Sequence, residues 1–254
     1  MISTLLRLAR IQYLLLITTI PLAAQELSLD QLIAKNVEAC GGKTAIESVK
    51  SIKFDVHIVD PGFEADGVYY AERPGKMRID VMVGRTHVYA EGFDGHRAWQ
   101  WNGKGDPVDE SVAATQALQH GIELPNKLVG LHELAARGNK LELIGREKID
   151  NINYYVLNLT FADGIATRLY LDPHSWLITR RRSVRPLHPD IDPTPTTIEA
   201  TMTDFRKVGG LMFPFSSKNT DLKTGKLLEK TTTRDITLNP AVEPRLFETV
   251  EPGT

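Results

Sequence analysis

From about residue 51 onward the chain keeps a two-residue rhythm. In "GKMRIDVMVG" the apolar Met77, Ile79, Val81 and Val83 fall on one side of an extended strand, with Arg78 and Asp80 on the other. Further strand-like runs follow at "THVYAEGF", "HRAWQW", "KLELIGRE", "NYYVLNLTF", "IATRLYLD", "WLITRRRSV", "IEATMTDFRKV", "MFPFSSKNT" and "KLLEKTTTRDITL". The connectors are short and rich in turn formers: "FDG", "NGKGD", "DNIN", "ADG", "DPHS", "KVGG" and "KTG". Consecutive strands joined by hairpin-length turns predict an antiparallel meander and not a parallel sheet with crossover helices.

Three stretches break the rhythm. "LSLDQLIAKNVEACGGK" has Leu29, Leu32, Ile33 and Val37 at helical spacing, a cap at Ser28 or Asp30, and Gly41-Gly42 as its stop. "TAIESVKSI" adds a short second helix. Residues 109–139 read as helix in two pieces, split near Gly121 and Pro125, and such an insertion in a meander must pack on one face of the sheet. Its helical period and its breaks predict a mobile lid over Ser111 to Ala136. "RPLHPDIDPTPTT" is proline-dense and predicts an extended, exposed loop.

The first 24 residues differ in character. Arg7 and Arg10 precede the apolar run "IQYLLLITTIPLAA", which is short for a membrane span and ends in small residues, the pattern of a secretory signal peptide cut after Ala24. One mature domain, residues 25–254, is then expected in the periplasm. Composition adds little beyond globularity: 254 residues, 42% apolar and 24% charged, with net charge -2. That balance gives no footprint for nucleic acid. The lone Cys40 excludes an intramolecular disulfide and reads as a small buried residue inside a helix.

Catalytic signatures are missing. There is no phosphate loop, no G-x-G-x-x-G after a strand and no G-x-S-x-G elbow. "HELAA" at His132 starts like a zinc-protease helix, but Ala136 stands where the second ligand belongs. A metal site would need His57, His87 and His96 to meet in space. "RRRS" at 180–183 is either a solvated strand end or a docking patch for an acidic partner or lipid headgroup. Trp99 and Trp101, two of the three tryptophans, share one side of a short strand. They are either filled core or the wall of an apolar cavity under the helices.

Several segments resemble the LolA-like superfamily of outer-membrane lipoprotein-sorting proteins. "EACGGKTAIESVKSIKF" is similar to the family's opening helix, glycine pair and first strand, and "YYAERPGKMRIDVMV" to its proline turn into an Arg-bearing strand. "FDGHRAWQW", "LIGREKIDNINYYVLNLTFADGIATRLYLDPHSWLITRRR", "DFRKVGGLMFPFSSKNT" and "ITLNPAVEPRLFE" resemble later parts. The resemblance implies a mainly β (α+β) fold, a curled antiparallel sheet forming an incomplete half-barrel with helices as a lid. It implies transport of a lipid or lipoprotein acyl chain between membrane-associated donor and acceptor proteins, as a monomer without a cofactor. The family's functional cationic residue has no counterpart placed by motif. Same-face residues on consecutive strands supply the candidate wall: Met77, Ile79, Val81, Trp99, Trp101, Leu157, Leu169 and Leu171. A slip of one residue would turn each of them outward. The alternatives are a filled-core module docking on an envelope protein and a hydrolase with a site assembled in space.

Overall fold

The computed structural model describes residues 26–125 and 127–249, so the expected signal peptide lies outside the described residues. Helix α1 (Leu29–Ala39) and the short α2 (Lys43–Ser48) precede six strands. These are β1 (Ser51–Asp60), β2 (Phe63–Glu72), β3 (Lys76–Val83), β4 (Thr86–Phe93), β5 (Ala98–Trp101) and β6 (Val108–Asp109). Helix α3 (Val112–Glu123) and two 3-10 turns (Leu131–Glu133 and Ala135–Arg137) come next. Seven strands complete the chain: β7 (Lys140–Ile149), β8 (Ile152–Thr160), β9 (Ala166–Leu171), β10 (Ile178–Arg185), β11 (Thr196–Val208), β12 (Leu211–Asp221) and β13 (Leu227–Leu238).

All thirteen strands belong to one antiparallel sheet, in the order β6-β5-β4-β3-β2-β1-β13-β12-β11-β10-β9-β8-β7. Two meanders are thus joined where β1 pairs with β13, Phe54 opposite Ile236. The outer strands β6 and β7 do not pair with each other, so the sheet is not closed into a barrel. Its curl brings distant strands to one cavity, lined by Tyr89 and Glu91 of β4 and by Ser183 and Arg185 of β10. A long twisted sheet curls in this way when one face carries the core. The topology also dictates the lid. Residues 110–139 must carry the chain from β6 at one edge to β7 at the other, and the short path crosses the concave face.

Two apolar clusters fill that face. One packs Ile52, Phe54 and Tyr69 against Phe213 and Ile236 beneath α2. The other packs Leu157, Leu169 and Leu171 against Leu131, Leu134 and Leu32 of α1. Helix α1 starts at Ser28, whose hydroxyl accepts from the Gln31 N–H while the Gln31 side chain accepts from the Ser28 N–H. It ends where Gly41, at φ +120°, lies so close to the Gly210 carbonyl that a Cβ would sit 2.6 Å from that oxygen. The "GG" and "VGG" motifs are therefore two sides of one contact. Cys40 is half-buried at the C-cap, one residue beyond the helix interior, and burial pushes its thiol up to about 11. No helix among the described residues is long and apolar enough to cross a membrane.

Candidate functional site

A cavity of about 410 Å³ lies between α3, the ends of β4 and β5, and the strand pair β9–β10 with its following loop. Helix α3 presents Ala113, Ala117 and Leu118, small and apolar positions that leave room beneath it. Phe161, Leu187 and Ile191 close the apolar wall. The polar part of the lining includes Glu91, Glu110, Arg185, His188 and Asp190. The volume is in the range of small-ligand sites.

Helix α3 is held at both ends by polar contacts. Ser111 caps it by accepting from the Ala114 N–H at 3.1 Å, and Asp190 accepts from the Ser111 N–H at 3.1 Å. Asp190 also accepts from Gln100 of β5 at 3.1 Å, so the proline-rich loop, helix and sheet edge meet at one carboxylate. At the other end His120 pairs with Asp163 at 2.8 Å and stacks on Phe161 with centroids 4.1 Å apart. The loop predicted as simply extended and exposed is thus one wall of the cavity. Within it residues 188–192 form a turn, the Ile191 and Asp192 N–H groups donating to the His188 carbonyl at 3.0 and 2.8 Å, and Leu187 and Ile191 line the cavity.

The charges facing the concave interior are tuned by burial. Burial, with Glu91 and Asp190 nearby, pushes the Glu110 carboxyl up to about 8. Burial also raises Glu91, although its hydrogen bond from Tyr89 at 2.8 Å opposes the shift. Glu229 and Asp60 are raised by burial as well. Among the cations, burial lowers Lys127 to about 8 and Arg181 to about 10. Lys127 retains solvent-accessible surface, with its ammonium 4.1 Å from the centre of the Tyr69 ring.

The eight candidate wall residues divide by face. Met77, Ile79 and Val81 are inward, paired across β2–β3 with Ala71, Tyr69 and Gly67. Leu157, Leu169 and Leu171 are also inward and fully buried. Trp99 and Trp101 are outward, which corrects the expectation of one shared face. Met77 stands opposite Phe93 and Phe93 opposite Ala98, so Ala98 shares the inner face and its neighbour Trp99 does not. The Trp99 indole instead lies over Gly92, where a Cβ would come within 2.7 Å of the ring, and donates to the Phe247 carbonyl at 3.0 Å. Trp101 donates to the Gly105 carbonyl at 2.9 Å beside His87. None of the eight lines the 410 Å³ cavity. Leu157, Leu169 and Leu171 lie under α1 and the 3-10 turns, and Met77 and Ile79 belong to the cluster that includes Ile122 of α3 and Leu128.

The residues that do line the cavity were missed for two reasons. Ala113, Ala117 and Leu118 carry a signal, since the run "VAATQALQHG" is small-residue helix with no bulky stripe. Glu91 and Arg185 carry none, because charge on an alternating strand reads as solvent-facing. His57, His87 and His96 do not converge; His57 pairs with Asp66 and Glu64, and His87 with Asp80. Among the described residues no three His, Cys, Asp or Glu side chains are grouped as metal ligands. In "HELAA", His132 lies near Glu47, and Glu133 takes the Arg73 guanidinium at 2.6 Å.

No family model matches the chain, and no curated protein matches it in sequence. Solved structures do match in fold. A DUF1329 family protein from Desulfovibrio piger superposes with TM-score 0.58 at 11% identity, over 86% of this chain and 96% of that one. A LolA superfamily protein from Nitrosomonas europaea gives TM-score 0.53 at 14% identity, over 85% and 96%. A Vibrio parahaemolyticus domain named for outer-membrane lipoprotein sorting gives 0.53 at 11%, over 85% and 95%. The open thirteen-stranded sheet with its helical cover is a LolA-like fold.

Proposed function

We propose that the protein is a cell-envelope binding or carrier protein that holds a lipid or lipoprotein acyl chain in the cavity beneath α3. It passes the chain to an apolar acceptor rather than to water. The observation that carries this reading is a cavity of about 410 Å³ with apolar walls, covered by a helix that contributes little buried surface of its own. Exposed apolar side chains collar it: Val112 and Ile191 are each 77% exposed, Val184 64% and Ile165 49%. Such a collar suits contact with a donor or acceptor. The fold shared with a lipoprotein-sorting domain supports the reading, and so does the sequence pattern of a signal peptide.

The energetics require handover. Each buried methylene contributes about 0.8 kcal/mol, so a twelve-carbon chain gains on the order of 10 kcal/mol before the costs of immobilisation. Dissociation into water is then slow, and α3 must shift while an acceptor covers the collar. The test is binding of dodecanol to the mature protein and to Ala117→Trp, which fills the cavity from the helix side. Wild type binds one equivalent; the folded variant binds at least tenfold more weakly. Equal binding by both would place the ligand elsewhere and overturn the reading.

A further inference from the structure

Strand β10 carries arginines on both of its faces, and the two faces are treated differently. Arg180 and Arg182 point outward and are fully matched. Arg180 donates to Glu199 at 2.8 Å and Asp150 at 2.6 Å; Arg182 donates to Glu199 at 2.7 Å and Glu147 at 2.6 Å. Pairing with β9 and β11 sets Arg181 opposite Leu169 and Ala200, hence inward. Arg185 has the same parity and lines the cavity. Among the described residues neither inner arginine has a carboxylate at ion-pair distance. Arg185 donates only to the Pro186 carbonyl, and the buried Nε of Arg181 has no partner.

An enclosed guanidinium without a counter-ion is expensive, and the acids of the bowl reach these cations only at a distance: Glu229 acts on Arg185, and Glu229 and Glu91 on Lys127, without forming an ion pair. Glu91 is engaged by the Tyr89 hydroxyl, and Glu229 by Asn219 and Thr231. Burial pushes both carboxyls toward their neutral forms. Arginine has no comparable escape, and at neutral pH it stays charged. Lys127 lies in the same bowl and its charge acts on Arg181, as that of Arg185 does. Arg181, Arg185 and Lys127 thus act on one another electrostatically, Arg185 from the wall of the apolar cavity, and among the described residues neither arginine has a carboxylate at ion-pair distance.

We propose that the inner face of β10 is a headgroup site, in which Arg185 and the deeper Arg181, assisted by Lys127, bind the anionic head of the amphiphile whose chain lies under α3. The assignment rests on the carrier reading and adds the cargo's charge. A planar guanidinium matches carboxylate and phosphate oxygens alike, so the shared chemistry is an anionic oxygen head from either a fatty acid or a phospholipid.

The test uses four twelve-carbon probes with a common chain: dodecyl phosphate, dodecanoate, dodecanol and dodecyltrimethylammonium. Calorimetric titration should give at least tenfold tighter binding of one or both anions than of dodecanol, and the tighter anion identifies the source. In Arg181→Gln/Arg185→Gln the ratio of anion affinity to dodecanol affinity should fall to about one. Arg185→Gln alone, at the cavity wall, should give most of that loss if the double variant does not fold. Equal binding of anions and dodecanol, tightest binding of the cation, or a preference that survives in the variants would overturn the headgroup site and leave the carrier reading intact. Failure of all four probes to bind would overturn both.

Discussion

The chain between β6 and β7 contains two regions of similar length with opposite attachments. Helix α3 buries only Ala114 and Ile122 and is fastened at its ends, through Asp190 and Ser111 on one side and His120 with Asp163 on the other. The following segment, residues 124–139, buries Leu128, Val129, Leu131 and Leu134 at 4% exposure or less. It is also clasped by Arg73 from the β2–β3 turn, which donates to the carbonyls of Val49, Ile46 and Leu128 and to both oxygens of Glu133. One region is integral to the core and the other is a cover on polar hinges. The lid expected over Ser111 to Ala136 is accordingly proposed only for its first half. A mobile element is drawn from the parts of a fold with few buried apolar contacts, and α3 is such a part.

The largest effect should come from breaking the clasp. Arg73 and Glu133 have side chains only 17% and 14% exposed. Removing one partner of such a pair leaves a buried charge uncompensated and costs about 3 kcal/mol or more. Arg73→Ala should lower Tm by roughly 6–12 °C, taking 2–4 °C per kcal/mol for a domain of this size. Differential scanning calorimetry gives the answer. A change under about 2 °C would mean that residues 124–139 are no better anchored than α3, and the contrast would collapse.

The sequence foretells this contrast only in part. The alternation of Met77, Ile79 and Val81 and the capped start of α1 are local properties and appear where expected, whereas the insertion gives one helix that runs through Gly121 and then only two 3-10 turns in place of a second helix. Register is not local. Ladder irregularities at Asp55/Val56, Leu143/Gly145 and Asn219/Thr220 shift which residues oppose one another. A turn of unknown geometry between β4 and β5 decides whether Trp99 or Ala98 faces inward. Aromatic size made the tryptophans conspicuous, yet both lie on the outer face, Trp99 against Phe247 and Trp101 against the Gly105 carbonyl and His87. The cavity falls instead where small α3 residues meet a charged strand, and charge on a strand is read by default as solvated. "RRRS" shows the limit most clearly, since its readings as surface and as headgroup patch attach to alternate residues of the same run.

A smaller and more local effect is expected at the α3 cap. Ser111→Ala removes the side-chain acceptor for the Ala114 N–H, a loss of about 1 kcal/mol of helix stability. Amides of residues 114–118 should then exchange roughly fivefold faster, while those of Leu131 and Leu134 keep their rates. Uniform acceleration across both regions would show that α3 opens only with the whole fold, which would remove it as a lid.

The finest test of the comparison is electrostatic. Glu110 directly precedes the cap and faces Glu91, Asp190 and Tyr89. Its carboxyl, raised by burial to about 8, is neutral in the folded protein at pH 7, whereas in the unfolded chain it ionises near the ordinary value of about 4.3. Because the folded state holds the proton more tightly, the associated stability is complete below about pH 4 and is lost as pH rises toward about 8. Glu110→Gln keeps the neutral form at every pH. Relative to wild type, its α3 amides should become progressively better protected between pH 5 and pH 8. Protection at Leu131 and Leu134 should stay level. A pH-independent ratio would mean that Glu110 is ionised in the folded protein, and that α3 closes over an acidic rim instead of a neutral one.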